Sequence, residues 1–148
     1  MAEDKSNGIV QGLWLRKATK RELRLEYWFD ELRTEVKLPS VAILVEGRKD
    51  IAALGEFDIE ALSPGRNLNE TAEELRKKGV KTVILLPDTD RAGQKLLRAW
   101  KLVLQRVGLN SIDRYWKTLL SLKISHVEGI VAHIRKSSKI YNTSNQEL

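Results

Sequence analysis

The strongest candidates for a chemical role in this sequence are three acidic residues, Glu46, Asp88 and Asp90. Glu46 directly follows the apolar run VAILV, and Asp88 and Asp90 follow the apolar run TVILLP. Carboxylates that share a site raise one another's pKa unless a cation neutralises them. Hard divalent cations such as Mg²⁺ prefer oxygen ligands. The pattern therefore predicts a Mg²⁺ site, open also to Mn²⁺, formed by Glu46, Asp88 and Asp90.

Two strands have to position these acids. Both apolar runs are short and rich in β-branched residues, which is typical of strands buried on both faces of a parallel sheet. In such sheets ligands bind at the carboxyl ends of the strands, and neighbouring strands lie about 4.8 Å apart. Alternation along an extended chain puts Asp88 and Asp90 on the same side. If the two strands are neighbours, the three carboxylates converge.

The remaining pattern alternates helices with strands, which favours an α/β fold with a parallel sheet. An apolar stripe at positions 25, 28, 29, 32 and 36 predicts a first helix over residues 21–37. This stripe either covers the sheet or forms a homodimer interface. Further predicted elements are a short helix after Glu46, a weak strand at Phe57–Leu62, a helix capped by Asn67 or Asn69, a long helix ended by Gly108, a weak strand at 110–114, and helices at about 114–122 and 126–136.

Composition limits the class of protein. The 148 residues fit one domain, predicted at 21–136, with an N-terminal arm at 1–20 and a flexible tail at 137–148. No apolar run approaches the ~18–20 residues that span a bilayer, and the N-terminus lacks the apolar core of a secretory signal. The absence of cysteine excludes disulfides and thiolate metal sites. These observations predict a cytoplasmic protein without a membrane partner.

The charge is unevenly distributed along the chain. Residues 91–148 carry eleven Lys and Arg against three acids, whereas residues 1–90 carry fifteen against seventeen. A basic half beside an acidic half predicts a surface that binds a polyanion, with nucleic acid favoured; solvated helix faces are the alternative. Lys49, Arg91 and Lys95 are neighbours of the acids in sequence and could bind phosphate, as could Arg98 on the long helix.

Taken as a pair, two segments resemble the signature segments of the Toprim domain: VAILVEGRKDIAAL and VKTVILLPDTDRAG. This domain is shared by topoisomerases, bacterial-type primases, certain ribonucleases and recombination proteins. The resemblance covers about residues 40–108. More loosely, the stretch DRYWKTLLSLKISHVEGIVAHI is similar to the C-terminal part of small stand-alone Toprim proteins and of Toprim ribonucleases that mature ribosomal RNA.

The resemblance implies a Rossmann-like three-layer sandwich with a mostly parallel sheet of about four strands, an N-terminal helix and C-terminal helices. It implies that Glu46 acts as a general acid/base and that Asp88 and Asp90 bind Mg²⁺. Gly47 and Gly93 match the turn glycines of the family; Gly47 is also predicted to bind phosphate, and Gly93 to have a supporting role. Asp50 matches a less constant acid with a supporting role.

The sequence predicts two alternative functions. The first is Mg²⁺-dependent cleavage of phosphodiester bonds in RNA or DNA; the alternative is a non-catalytic nucleic-acid-binding or accessory module of a larger processing complex. At 148 residues the sequence is not expected to include the second domain of a topoisomerase or the further elements of a primase. The sequence leaves open a homodimer, a protein partner, and a structural protein with a vestigial site. His126 and His133, seven residues apart, are predicted to be structural or surface residues.

Overall fold

A computed structural model describes residues 19–146, with side chains described as far as Lys136. The three strands of this part lie side by side in their order along the chain and are all parallel. The predicted α/β sandwich is thereby confirmed. In chain order the elements are α1 (Lys20–Glu35), β1 (Val41–Val45), α2 (Arg48–Gly55), α3 (Leu68–Lys77), β2 (Thr82–Leu86), α4 (Arg91–Val107), β3 (Asn110–Ile112), α5 (Arg114–Ser121) and α6 (Val127–Gln146).

The sheet is the centre of the core. Consecutive residues of β1 (43–45) and of β2 (83–86) are buried. Because successive strand side chains point to opposite faces, this burial requires helices on both faces. Helix α4 contacts β2, β3 and α3, while α5 contacts β2, and α6 packs against α2 and α1. The register ends with Val45 beside Leu86, so the residues that follow both strands meet at one edge.

The weak strand predicted at Phe57–Leu62 is reduced to a single bridge. Leu62 pairs in parallel with Leu44, and its N–H donates to the Ile43 carbonyl at 2.9 Å. Upstream, the chain turns through Asp58, whose φ is 60°, and the Phe57 ring packs edge-on against Phe29 at 4.9 Å. The apolar residues here fill the core from a turn, so the described sheet has three strands rather than about four.

Helix α1 has the predicted apolar stripe. Its N-terminus is fixed by a capping box, in which Thr19 Oγ1 accepts from the Glu22 N–H at 3.0 Å and the Thr19 N–H donates to Glu22 Oε1 at 2.8 Å. The stripe is buried inside the chain's own core, so it covers the fold instead of offering a dimer interface. Its fully buried members are Leu25, Trp28, Phe29 and Leu32.

The C-terminal helices lie against α1. Arg114 pairs with Glu35 at the end of α1, and Arg21 near its start donates to the Leu122 carbonyl at 2.7 Å, so α5 runs antiparallel to α1. Helix α6 continues to Gln146, ten residues past the predicted end at 136. Residues 1–18 of the predicted arm and residues 147–148 lie outside the described residues. None of the described helices is long and apolar enough to cross a membrane.

Candidate functional site

Glu46 and Asp88 meet at the carboxyl edge of the sheet. The backbone N–H of Asp88 donates to Glu46 Oε1 at 3.0 Å; Glu46 lies one residue beyond the last paired residue of β1, and Asp88 lies two residues beyond that of β2. The Ser63 hydroxyl donates to the Glu46 carbonyl at 2.9 Å and so holds the backbone that follows β1. The prediction that these two strands are neighbours is confirmed, and the first two acids are brought together as expected.

Asp88 is also held by residues from the C-terminal part of the chain. Its Oδ1 lies 3.0 Å from His126 Nδ1, and its backbone carbonyl accepts from Trp116 Nε1 at 3.2 Å. The pKa of His126 is raised, first by the hydrogen bond to Asp88, against the opposing effect of burial. The negative charges of Asp88, Asp50 and Asp90 raise it further. Asp88 thus has a histidine partner that the sequence did not predict.

Asp90 has a different environment from Asp88. It is exposed, and its Oδ1 accepts from the Gly93 N–H at 2.7 Å, as the N-cap of α4. A Cβ atom at position 93 would lie 1.7 Å from the Asp88 carbonyl oxygen. Gly93 is therefore required for the first turn of α4 to pass close to the end of β2.

The fit of a metal ion can be judged from the three carboxylates. Each engages one oxygen in the contacts above, and hard oxygen donors are what Mg²⁺ prefers. Among the residues that the structure describes, however, no group of three or more acids or histidines is arranged to hold a metal ion. Mg²⁺ commonly takes only one or two protein carboxylates and keeps water as its other ligands. The donor chemistry fits such a site, while joint coordination by Glu46, Asp88 and Asp90 stays a prediction.

Asp50 links α2 to α6. Its side chain is only 6% exposed, and its Oδ1 accepts from the Glu128 N–H in the first turn of α6 at 3.3 Å. Burial raises the pKa of the Asp50 carboxyl, the Glu128 N–H opposes this, and the charge of Asp88 raises it again. This buried contact fixes the start of α6 beside the site, while the supporting role of Asp50 stays a prediction.

The segment before α6 closes the site from the other side. The Thr89 N–H donates to the Ser125 carbonyl at 3.0 Å, and the Thr89 hydroxyl donates to the Ile124 carbonyl at 2.9 Å. Together with the contacts of His126 and Glu128, these bonds tie the turn after β2 to residues 124–128. The C-terminal part of the chain is thus a structural component of the site.

These residues surround an open cleft of about 740 Å³. Arg48 and Lys49 are exposed on its rim, and a Cβ at Gly47 would meet nothing within 4 Å. Of the predicted phosphate-binding residues, Gly47 and Lys49 therefore lie at the cleft. Its lining comprises Glu46, Gly47, Arg48, Lys49, Asp50, Asp88, His126, Glu128, Gly129 and Ala132.

The other predicted phosphate-binding residues lie on α4. Arg91, Lys95 and Arg98 are exposed and spaced i, i+4 and i+7, which places them on one face of the helix. They do not line the cleft. The face starts one residue after Asp90 and spans about 10 Å at 1.5 Å per residue. We call Arg91, Lys95 and Arg98 the basic face of α4; it adjoins the site without being part of it.

His126 is the site residue that sequence reasoning missed. In the sequence, His126 is considered only together with His133, as a possible pair. The seven-residue spacing of the two histidines gives no indication of a contact with Asp88. His126 reaches the site because the chain turns at Lys123, whose φ is 58°, before α6 begins. No local motif predicts that turn, and His126 is the first residue of the helix predicted at about 126–136, whereas α6 begins at Val127.

Three comparisons place the fold among known proteins. No protein-family model matches the sequence. The chain is 34% identical over 88 residues to the UPF0292 protein MJ1624 of Methanocaldococcus jannaschii; the match covers 52% of this chain and 66% of that relative, a little less than two-thirds of its length. A solved structure of a protein from Aquifex aeolicus has a TM-score of 0.65 and 26% identity, covering 71% of this chain and 96% of that one.

A further solved structure is the Aquifex aeolicus primase, with its zinc-binding and RNA polymerase domains. Its TM-score is 0.43 at 21% identity, and the match covers 73% of this chain and 27% of the primase chain. The first Aquifex structure shares this α/β architecture over almost its full length.

Proposed function

We propose that this protein binds nucleic acid at the carboxyl edge of its sheet and cleaves phosphodiester bonds there with the help of Mg²⁺. The observation that carries the proposal is the hydrogen bond from the Asp88 N–H to Glu46 Oε1 at 3.0 Å. It joins the two acid-bearing strand ends in a cleft with Lys49 on its rim. The resemblance of these same segments to the Toprim domain supports this interpretation.

Each residue would have a distinct task. Glu46 Oε1 is engaged by the Asp88 amide, which leaves Oε2 to exchange a proton with the attacking or leaving oxygen. Asp88 and Asp90, with Glu46, would hold Mg²⁺ or Mn²⁺, which when bound supplies positive charge at the phosphate. Lys49 would bind a phosphate oxygen of the substrate. His126 would keep Asp88 in one orientation through its Nδ1 contact.

The nucleic acid would extend from the cleft along the basic face of α4. Within residues 19–136, neither the three side chains of that face nor Arg48 and Lys49 have a partner in a salt bridge. Cations without internal partners are suited to phosphate contacts, which set the register of a protein on nucleic acid without reading its sequence. The surface therefore favours binding through the backbone of the nucleic acid.

Cleavage is tested with end-labelled structured RNA, single-stranded DNA and duplex DNA, each with Mg²⁺, Mn²⁺ or a chelator. We expect metal-dependent cleavage that falls about 100-fold or more in Glu46→Gln, with nucleic-acid binding retained. Glu74→Gln, an exposed glutamate on α3, is the matched control and should cleave normally. Binding without cleavage on every substrate would contradict the catalytic part of the proposal.

A non-catalytic binding module is the second candidate. It is favoured by the contacts of the acids themselves, because Asp88 is paired with His126, Asp90 caps α4, and the described residues contain no ready-made metal cluster. Calorimetric titration with Mg²⁺ separates the two. The double change Asp88→Asn and Asp90→Asn should abolish metal binding if the acids hold the ion. Unchanged affinity would place any metal elsewhere.

Both candidates require the basic face of α4 to contact phosphates. Charge reversal of Lys95 and Arg98 should reduce the slope of log affinity against log salt by about 0.7–0.9 for each phosphate that the protein no longer neutralises. The matched control is Lys37→Glu with Lys81→Glu, two exposed lysines near the amino ends of β1 and β2. A slope that changes equally in both double variants would mean that net charge, not this face, controls binding.

A further inference from the structure

Several large apolar side chains are exposed on the outward face of α1 and just past its end. Leu23 is 56% exposed, Tyr27 69%, and Leu38, just past the helix, 55%. The helix buries a different stripe in the core, so these residues lie outside the core of the described chain. Exposed apolar groups that recur along one helix face are typical of a surface that binds another protein.

This face also contains a shallow groove. Tyr27, Thr34 and Leu38 line it together with three acids, Asp30, Glu31 and Glu35. Glu31 and Glu35 pair with Arg114, but the lining itself contains no basic residue, so the acids of the groove disfavour nucleic acid as the occupant. An apolar side chain with a basic neighbour would complement the groove. Leu23 and Arg24 of a second copy provide that pair.

Charges on the face are arranged symmetrically about Tyr27. Arg24 lies three residues before it and Asp30 three residues after it. Both are exposed, and within residues 19–136 neither makes a salt bridge. A pattern that places opposite charges at equal distances from a central aromatic residue is self-complementary in an antiparallel pair of the same helix.

From this pattern we propose that two copies of the chain associate through α1, antiparallel about a two-fold axis near Tyr27. Such an axis brings Arg24 of each copy opposite the partner's Asp30, and Leu23 opposite the groove beside the partner's Glu31. Because a two-fold interface is isologous, every contact occurs twice. The proposal is independent of the function proposed above.

The size of the surface defines the kind of dimer. Helix α1 has 16 residues and is therefore about 24 Å long. One pair of such helices buries less than the ~1,600 Å² of a standard stable interface. The dimer should accordingly be reversible and depend on protein concentration, with Tyr27 as its central contact.

Charge exchange tests the arrangement directly. Sedimentation velocity of the full chain over a wide concentration range should show a monomer–dimer equilibrium. Arg24→Asp and Asp30→Arg should each raise the dimer dissociation constant about tenfold, because the axis doubles each repulsion. The double variant should restore it to within a few-fold. A double variant as weak as either single variant would overturn the proposed pairing.

A second comparison tests the apolar contact. Leu23→Glu should weaken the dimer about tenfold or more, whereas Leu102→Glu, at a leucine of matching exposure on α4 (55%), should not. Far-ultraviolet circular dichroism checks that both variants keep their helices. A protein that is monomeric at all concentrations, or a dimer indifferent to Leu23→Glu, would overturn the proposal, including the case in which a different protein covers this face.

Discussion

The two strand-to-helix turns of the site look alike in sequence and differ in structure. In both, an acid follows a buried strand and a glycine lies near the start of the next helix: Gly47 directly after Glu46, and Gly93 five residues after Asp88. At Gly93 an added Cβ would collide with the Asp88 carbonyl oxygen, whereas at Gly47 it would meet nothing within 4 Å. Asp90 caps α4 with its side chain, but the N-cap of α2, Gly47, makes no such bond.

This difference separates a glycine required by packing from one that the fold does not require. The φ of Gly47 is −145°, an extended conformation open to any residue. Its missing side chain therefore serves neither the backbone nor a neighbour in the described chain. An open turn beside Glu46 leaves room for a substrate to approach the backbone, which supports the proposed function without being required for folding.

Replacing each glycine by alanine should give the largest contrast. Gly93→Ala has to move the turn after β2 or the start of α4, and we expect a loss of about 2–3 kcal/mol in the free energy of unfolding. Gly47→Ala should change it by less than about 0.5 kcal/mol while weakening nucleic-acid binding. Urea denaturation measures both. Equal destabilisation by the two changes would contradict the distinction between the turns.

The cap of α4 should give an intermediate effect. Asp90→Ala leaves the Gly93 N–H without its acceptor and should cost about 1 kcal/mol of stability. Asp90→Asn keeps a capping oxygen and should cost little, yet it removes the charge that a metal ion needs. Thermal unfolding and Mg²⁺ titration of the two variants therefore separate the structural task of Asp90 from its proposed metal-binding task. If Asp90→Asn is as unstable as Asp90→Ala, the charge itself stabilises the helix.

The smallest effect concerns the pH dependence of the Asp88 contact. The pKa of His126 is raised above its ordinary value, mainly by the hydrogen bond to Asp88. A raised pKa means that protonated His126 stabilises the fold. This contribution is fully present below about pH 6.5, the ordinary imidazole value, and is lost as the pH rises through the higher folded value.

Nuclear magnetic resonance titration of metal-free protein checks this sign. The pKa of His126 should fall in Asp88→Asn, while Asp30→Asn, on the far face of α1, should leave it unchanged. The difference in stability between the native chain and His126→Gln should shrink between pH 6 and pH 8. A difference that grows over this interval would contradict the assignment.

Much of the fold follows from the sequence because its signals are local. The runs VAILV and TVILL are buried strands, and the stripe of α1 is buried, as their patterns predict. The meeting of Glu46 with Asp88 follows from two parallel strands being neighbours. The segment 57–62 was predicted as a strand because periodicity cannot distinguish an apolar turn such as that at Phe57 from a short strand.

The contacts made by the C-terminal part could not be predicted, because they join residues far apart in sequence. Asp50 meets the Glu128 amide across 78 positions, and Trp116 meets the Asp88 carbonyl across 28. The length of α6 was underestimated for a different reason. Its last ten residues include Ser, Thr and Asn, which have lower helix propensity than Ala or Leu, so composition favoured a frayed end.

The bonds that tie the site to the start of α6 set how long the site stays assembled. The amides of Thr89 and Glu128 donate to Ser125 and Asp50 across this junction. Such amides exchange hydrogen for deuterium only while their bonds are open. If α6 detaches as one unit, both amides lose protection at the same rate, well before those of β2. The lifetime of the site would then be that of the docked helix, not that of the sheet.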